Sequence, residues 1–219
     1  MTESRSAPLR VLLHLCDSLF PLGSYAHSDG LEAATSSGLV TTGSDLGAWM
    51  QAARDEVLAR ADGPALRIAS EAFGRCAFLD VAGVDDELHA LRPALAAREA
   101  SRAMGVRLLK TWQEIRPHQD IEALMAFRSR PLGAAGFTLP VAFGVVTAAS
   151  AVPVRAALEA YFYTRLAAIV SAAMRLMSVG QHEAHRILAE ALDGVPAAVE
   201  EAMAWPQPGG FALAFDLTA

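Results

Sequence analysis

The spacing of apolar residues along the chain predicts helices throughout. Trp49, Ala53 and Val57 recur at four-residue intervals, whereas Arg54 and Asp55 fall mostly on the opposite side. Recurrence every three or four residues places side chains on one face of an α-helix. Sustained alternation of β-branched and polar residues, which would indicate strands, does not occur. We therefore predict an all-α fold, a single-domain bundle of about eight to ten helices.

Glycine and proline set the expected ends of these helices. Gly38 is placed to form a left-handed cap, and the run Asp62-Gly63-Pro64 is expected to break one helix and start the next at Pro64. Pro93 is the possible start of the longer helix in its region. The predicted helices are Leu9–Phe20, Tyr25–Ser37, one from Ser44 to the break at Asp62, one from Pro64, one or two within Asp85–Ile115, Ile121–Arg128, Leu139–Ala151, Pro153–Val179, Gln181–Leu192 and Ala197–Met203.

Length and composition favour one domain that associates with other subunits. All 219 residues are assigned to a single helical domain, because no linker-like segment divides the chain; residues 1–8 are expected to be flexible. Hydrophobic residues make up 53% and charged residues 19%, and the mean hydropathy is +0.29. Helices this apolar are either buried on several sides, as in an alanine-rich core, or expose surface suited to partners. We expect association with other subunits, as a homodimer. The net charge of −6 without a basic run argues against nucleic-acid binding.

An uncharged stretch between Arg130 and Arg155 imitates a membrane span. Three prolines and three glycines interrupt it, and its expected helix, Leu139–Ala151, is shorter than the roughly 20 residues that a span requires. We interpret it as the central buried helix. Cys16 and Cys76 match no CxxC pattern, and no signal peptide is evident. These features predict a cytoplasmic protein that does not bind membranes.

The most distinctive segment runs from Phe20 to Glu32 and surrounds polar and aromatic residues with proline and glycine. Pro21 is expected to end the preceding helix, and Gly23 permits a tight reversal. A helix starting at Tyr25 would place Tyr25, Ser28 and Glu32 on one face. Together these features indicate a contact surface for a partner or a route for a metal.

A second distinctive block, Ala97–Lys110, carries arginines and an internal glycine. Arg102 can pair with Glu99 three residues earlier on the same helix. Gly105 costs about 1 kcal/mol relative to alanine inside a helix, so it is expected to permit the close approach of another helix. This part of the helix is therefore predicted to be a packing surface.

Residues that could carry chemistry are sparse. The only lysine, Lys110, follows Leu109, so the sequence contains no GxxxxGK[ST] phosphate loop, and any nucleotide must be bound by a partner. His182 and His185 are near enough on a helix to share a metal weakly, and Cys16 and His14 precede the loop that bears His27. The weak metal candidates are thus Cys16, His27, His182 and His185. Ordinary solvated histidines and a buried structural cysteine remain the simpler interpretation, and no catalytic constellation is evident.

Four blocks in this order resemble urease accessory protein F, an all-helical family of nickel-insertion chaperones. They are Pro21–Glu32, Ala97–Lys110, Leu139–Gly144 and Ala172–Gln181. Three departures leave the roles of their positions open. Thr138 replaces a histidine common in the family, Ala184-His185 replaces a second Gly-Gln pair, and Phe215–Ala219 is acidic where the family often has an arginine-rich end.

The resemblance implies a non-enzymatic protein that dimerises and bridges a GTPase and a second scaffold protein on apo-urease. Nickel would be handled by the complex and GTP bound by a partner, with no cofactor held by this chain. The alternatives are a helical metal-binding enzyme built on His27 and the His182/His185 pair, and a generic helical adaptor. The candidate partner-binding residues are Pro21, Gly23, Tyr25, His27, Ser28, Gly30, Glu32, Arg102, Gly105, Arg107, Gly180, Gln181, Phe211 and Phe215.

The C-terminal tail, Trp205–Ala219, is expected to lack regular structure. Pro206, Pro208 and two glycines oppose a helix. From Phe211 to Leu217, however, apolar residues occupy every second position, which suits an extended segment docked in a groove. The groove could belong to the chain's own helices or to a partner. The resemblance favours the partner, because the C-terminal region of the family contributes to binding the scaffold protein.

Overall fold

The computed structural model describes residues 3–22, 30–92, 94–129 and 136–210. Within these ranges the secondary structure is helical and contains no strand, which confirms the all-α prediction. The helices are α1 (Glu3–Leu15), α2 (Leu31–Ser36), α3 (Gly43–Ala52), a π-helical segment (Ala53–Asp62), α4 (Gly63–Gly74), α5 (Phe78–Leu91), α6 (Leu95–Ile115), α7 (Gln119–Arg128), α8 (Leu139–Ala149), α9 (Val154–Leu176), α10 (Gln181–Asp193) and α11 (Val195–Ala204).

Helix α8 is the centre of the core. Every residue from Leu139 to Thr147 is buried, as expected for a helix surrounded by others. Helices α4, α6 and α9 pack against it. A Cβ built on Gly144 would lie 2.5 Å from the carbonyl oxygen of Leu66, so a glycine is needed where α8 and α4 approach most closely. The helical part of the uncharged stretch, Leu139–Ala149, is therefore the buried central helix predicted from the sequence.

The other helices cover this centre. Helices α10 and α11 pack on α9, α3 packs on α10, and α5 packs on α4. None of the helices in the described ranges is both long and apolar enough to cross a membrane.

Several predicted boundaries agree with the structure to within about two residues. This holds for α7, α8, α10 and α11, and α9 differs from its prediction mainly by ending at Leu176. The left-handed cap after α2 is also present, because Gly38 has a φ of 76°. Its N–H donates to the carbonyl oxygen of Thr35, and that of Leu39 donates to Ala34, which satisfies the last carbonyls of the helix.

The prediction for the first helix is wrong at both ends. It begins at Glu3, so Pro8 lies inside it, and it ends at Leu15 rather than Phe20. No glycine or other helix-breaking residue separates Glu3 from Pro8, whose missing N–H removes only one helical hydrogen bond. The early end has a local cause: the Asp17 carboxylate accepts a hydrogen bond from the Leu19 N–H at 2.8 Å and stabilises a turn instead.

A continuous helix from Tyr25 to Ser37 is also contradicted. Gly30 has a φ of 80°, in the left-handed region, and α2 begins only at Leu31. A helix cannot pass through this conformation, so the helix that carries Glu32 does not extend to the residues before Gly30. Residues 23–29 lie outside the described ranges.

The predicted break at Asp62 is wrong, and the helix predicted to start at Asp85 starts earlier, at Phe78. Asp62 and Gly63 keep right-handed helical dihedral angles, so the chain remains helical from Gly43 to Gly74. Pro64 lies in the first turn of α4, inside this helical run, so its missing N–H removes one helical donor while the helical path continues. The region predicted as one or two helices contains two, and the first begins at Phe78 rather than Asp85.

The described part of the tail, Trp205–Gly210, has no regular secondary structure. It is attached to the chain's own helices, since the Arg67 guanidinium donates to the carbonyl oxygen of Trp205 at 2.8 Å. The alternating segment with Phe211 and Phe215 lies outside the described ranges, so its docking stays a prediction.

Candidate partner-binding site

The turn after α1 is fixed to α6, which brings the two distinctive sequence blocks together. Phe20 and Leu22 are buried, whereas Pro21 between them is exposed. The Arg107 guanidinium on α6 donates to the Leu22 carbonyl oxygen at 3.1 Å. This contact joins residues 85 positions apart. The segment that follows Leu22 therefore starts from a position determined by α6.

An aromatic cluster supports the same junction. The His14 ring meets Phe20 edge-on at 5.2 Å and lies 6.1 Å from the Trp112 ring, measured between centroids. Trp112 is buried on α6, and the Arg116 guanidinium lies over the Trp112 ring at 5.6 Å from its centroid. Edge-to-face aromatic pairs contribute about 0.5–1.5 kcal/mol beyond their burial. The turn is thus held by side chains from both α1 and α6.

Gly105 allows α6 to touch the backbone that leads into α8. A Cβ built on Gly105 would lie 2.1 Å from the Phe137 carbonyl oxygen and 2.7 Å from that of Thr138. Real Cβ atoms do not approach oxygen this closely, so a larger residue requires the backbone to move. The close approach inferred from the sequence is confirmed, although the neighbour is the residue pair before α8.

A buried carboxylate, Asp85 on α5, anchors that same residue pair. Its Oδ1 accepts hydrogen bonds from the Thr138 N–H and hydroxyl, both at 2.7 Å. The Arg128 guanidinium donates to Oδ2 at 2.7 Å, and that of Arg102 lies 3.9 Å away. Arg102 therefore faces Asp85 rather than Glu99, and its Nε and Nη2 atoms are buried without a hydrogen-bond partner. One carboxylate thereby connects α5, α6, α7 and the start of α8.

Burial and the neighbouring charges have opposite effects on the pKa values of Asp85 and Arg128. Burial raises the pKa of Asp85, whereas the hydrogen bonds from Thr138 and the charges of Arg128 and Arg102 lower it. For Arg128, burial favours the neutral form, but hydrogen bonds and charges from Asp86 and Asp85 dominate and raise its pKa. Ion pairs this deeply buried are strongly disrupted by the loss of one partner.

A groove of about 540 Å³ lies beside the junction. The end of α1 and the residues up to Leu22 form one wall, and α8, α9 and α10 form the others, with Phe143 and Met174 among the apolar residues. Cys16 and His185 also line it. The groove thus brings two of the weak metal candidates to one cavity.

These candidates do not form a metal site in the described part of the chain. No group of three or more His, Cys, Asp or Glu residues there could hold a metal ion. Burial raises the pKa of the Cys16 thiol to about 11, which disfavours the thiolate that binds metals, and the thiol faces the Ala160 carbonyl oxygen at 3.8 Å. His182 and His185 are both exposed on α10, and His14 packs against aromatic rings instead of joining Cys16.

The candidate partner-binding residues occupy three places. Pro21, Arg102, Gly105 and Arg107 lie at the α1–α6–α8 junction; Gly30 and Glu32 lie at the start of α2; and Gly180 and Gln181 start α10, where both are exposed. Gly23, Tyr25, His27, Ser28, Phe211 and Phe215 lie outside the described ranges.

Sequence reasoning missed the residues that organise the junction, above all Asp85 and Arg128. Both belong to helices whose charged residues look ordinary in the sequence, and their contact spans 43 positions. Asp85 lies four residues after Val81 and three before Leu88, both buried, and this helical spacing is the one local sign that its carboxylate would be buried.

The chain is similar to known proteins over most of its length. A family model described as UreF matches residues 40–192. Urease accessory protein UreF from Paenarthrobacter aurescens (strain TC1) is 36% identical over 188 residues, covering 86% of this chain and 81% of that protein. UreF from Azoarcus sp. (strain BH72) is 30% identical over 200 residues, covering 91% and 84%. The bifunctional urease accessory protein UreEF from Bordetella bronchiseptica is 31% identical over 205 residues, covering 93% of this chain and 46% of that protein. The chain therefore belongs to the UreF family of urease accessory proteins.

Proposed function

We propose that this protein is a non-enzymatic assembly factor that bridges a GTPase and a scaffold protein on apo-urease, so that nickel enters the urease active site under GTP control. Membership of the accessory family supports this role. The sequence has no phosphate loop, which is consistent with a GTP site on a partner. Nickel would be handled by the complex, in the cytoplasm.

The observation that carries the proposal is the fixed geometry at the α1–α6–α8 junction. Arg107 on α6 donates a hydrogen bond to Leu22 at the start of the turn. Gly105, two residues earlier on α6, permits close contact with the backbone that leads into α8. The chain that bears Tyr25 and His27 begins directly after this anchored point. A contact segment whose base is rigid loses less conformational entropy when it binds.

Apolar surface on α1 supports self-association. Leu9 and Leu13 are 57% and 63% exposed and lie four residues apart on one helical face, and Leu19 in the next turn is 86% exposed. Exposed apolar groups that cluster on one element are typical of protein interfaces. We propose that this face contributes to a homodimer or to the contact with another accessory protein.

The fused relative supports the proposed assembly. In the Bordetella bronchiseptica protein, a UreE part and a UreF part are named together as one bifunctional urease accessory protein. Fusion keeps two proteins at high local concentration, which is useful when both act in one complex. We infer that this chain likewise works beside other accessory proteins.

The experiment compares Arg107→Met with Lys110→Met in cells that express urease and its accessory proteins. Both residues are exposed cations on α6, but only Arg107 has a hydrogen bond to the turn. We expect Arg107→Met to lower urease activation and to weaken pull-down of the GTPase and scaffold protein. Lys110→Met is expected to retain both.

Circular dichroism of the two purified variants establishes that the helices remain folded. Full urease activation and unchanged pull-down by Arg107→Met would contradict the role of the junction. Detectable GTP hydrolysis by the purified chain, abolished by a substitution within it, would contradict the non-enzymatic role.

A further inference from the structure

A π-helical segment interrupts the long helical run between α3 and α4. Residues Ala53–Asp62 form it, and the Gly63 N–H donates to the Leu58 carbonyl oxygen, five positions earlier. A Cβ on Gly63 would lie 2.6 Å from that same oxygen, so the wider helical turn is compatible with glycine here. Helices with this spacing are rare and are found frequently at functional sites.

The backbone of the segment is completed by the C-terminal part of the chain. In an α-helix, the Arg60 carbonyl oxygen would accept a hydrogen bond from residue 64, but Pro64 has no N–H. The Gly209 N–H donates to the Arg60 carbonyl oxygen at 2.8 Å instead. Gly209, 149 residues after Arg60, therefore supplies a donor in place of the N–H that Pro64 lacks.

The Arg60 side chain holds the same region from the other side. Its guanidinium donates to Glu56 within the π segment and to Glu201 on α11, each at 2.7 Å. It also lies 5.5 Å from the centroid of the Trp205 ring, in cation–π geometry. Gly210 continues this contact, because a Cβ there would lie 3.0 Å from the Glu56 carbonyl oxygen.

The far end of the π segment reaches the core. Asp62 is buried, and its carboxylate accepts a hydrogen bond from the Tyr161 hydroxyl on α9 at 2.8 Å. The Arg92 guanidinium also donates to Asp62. A change in the path of residues 60–62 would consequently disturb the hydrogen bond from the fully buried Tyr161 and the contact with Arg92 at the end of α5.

We propose that Trp205–Gly210 is a strap whose docking on Arg60 stabilises the π segment and couples the C-terminal chain to the core through Asp62. Loss of this docking removes the Gly209 donor from the Arg60 carbonyl oxygen and is expected to loosen the π segment.

Hydrogen exchange on full-length variants tests the coupling. Glu201→Gln removes the negative charge that pairs with Arg60, and Trp205→Leu removes the ring under its guanidinium, whereas Glu200→Gln is the matched control because Glu200 pairs with Arg155 instead. We expect the first two variants to raise the exchange rates of the Gly209 amide and of amides in the π segment together, by roughly two- to five-fold each. The control is expected to leave both rates unchanged.

Two outcomes overturn the proposal. In one, the Gly209 amide exchanges faster while amides in the π segment keep their rates, which would mean that the strap and the segment are not coupled. In the other, neither variant changes exchange at Gly209, which would mean that Arg60 does not hold the strap. Arg60→Met, which removes the guanidinium contacts to Glu56, Glu201 and the Trp205 ring and keeps the aliphatic part, provides a second measurement if Trp205→Leu does not fold.

Discussion

Substituting Gly105 by alanine tests the packing that fixes the entry to α8. The new Cβ would lie 2.1 Å from the Phe137 carbonyl oxygen and 2.7 Å from the Thr138 carbonyl carbon, and both neighbours are backbone atoms that cannot rotate away. Overpacking of this kind costs about 1–3 kcal/mol, and a backbone clash belongs at the upper end. Alanine recovers about 0.5–1 kcal/mol of helix propensity. The expected net loss is therefore about 2 kcal/mol.

Gly83 on α5 is the matched control. It also lies inside a helix, but a Cβ there would have no atom within 4 Å. Gly83→Ala is therefore expected to stabilise the protein by about 0.5–1 kcal/mol, because the unfolded chain loses freedom and nothing in the folded state is displaced. The two substitutions are chemically identical, so the difference between them isolates the close approach at α6.

The assay is urea denaturation of each variant, followed by circular dichroism and evaluated as the free energy of unfolding. A loss of about 2 kcal/mol corresponds to a fall in melting temperature of about 4–8 °C for a domain of this size. If Gly105→Ala were as stable as the wild type, or if Gly83→Ala lost as much, the argument from the Cβ clash would be refuted.

Two further predictions concern charged residues. Asp85→Asn is expected to destabilise the protein by about 3 kcal/mol, at the lower end for a broken buried ion pair, since it removes the buried charge that faces Arg128 and Arg102 while Asp86 still pairs with Arg128. Asp86→Asn, at a carboxylate 61% exposed, is expected to cost less than about 1 kcal/mol in the same denaturation assay; equal losses would contradict the buried network. Hydrogen bonds from the backbone N–H groups of Thr41 and then Thr42, with smaller help from their hydroxyls, lower the pKa of Asp45 from 3.8 to about 2. A depressed pKa means that its stabilisation is fully present above pH 3.8 and is lost as the pH falls through about 2, so the stability difference between wild type and Asp45→Asn should shrink over this range; a difference independent of pH would refute the assignment.

The sequence by itself determined the helical elements and the buried centre. Apolar residues at three- and four-residue spacing identified α7 to α11 to within a few residues, because this periodicity is a local property of a helix. Gly38 and Gly105 were also correctly interpreted, since a glycine is unfavourable in a helix unless its conformation or its small size is required. The family resemblance came from the same local blocks.

Only the tertiary structure decided how these elements are joined. Asp85 meets Thr138 and Arg128, and Gly209 completes the hydrogen bonding of Arg60, across separations of 43 to 149 residues. Local patterns carry no information about partners so distant. The π segment is likewise absent from the local pattern, which predicts an ordinary helix, whereas the interruption at Gly30 uses a left-handed conformation that glycine adopts readily. The periodicity of the sequence determines which face of a helix is buried, whereas the tertiary packing determines which partner each buried polar group binds.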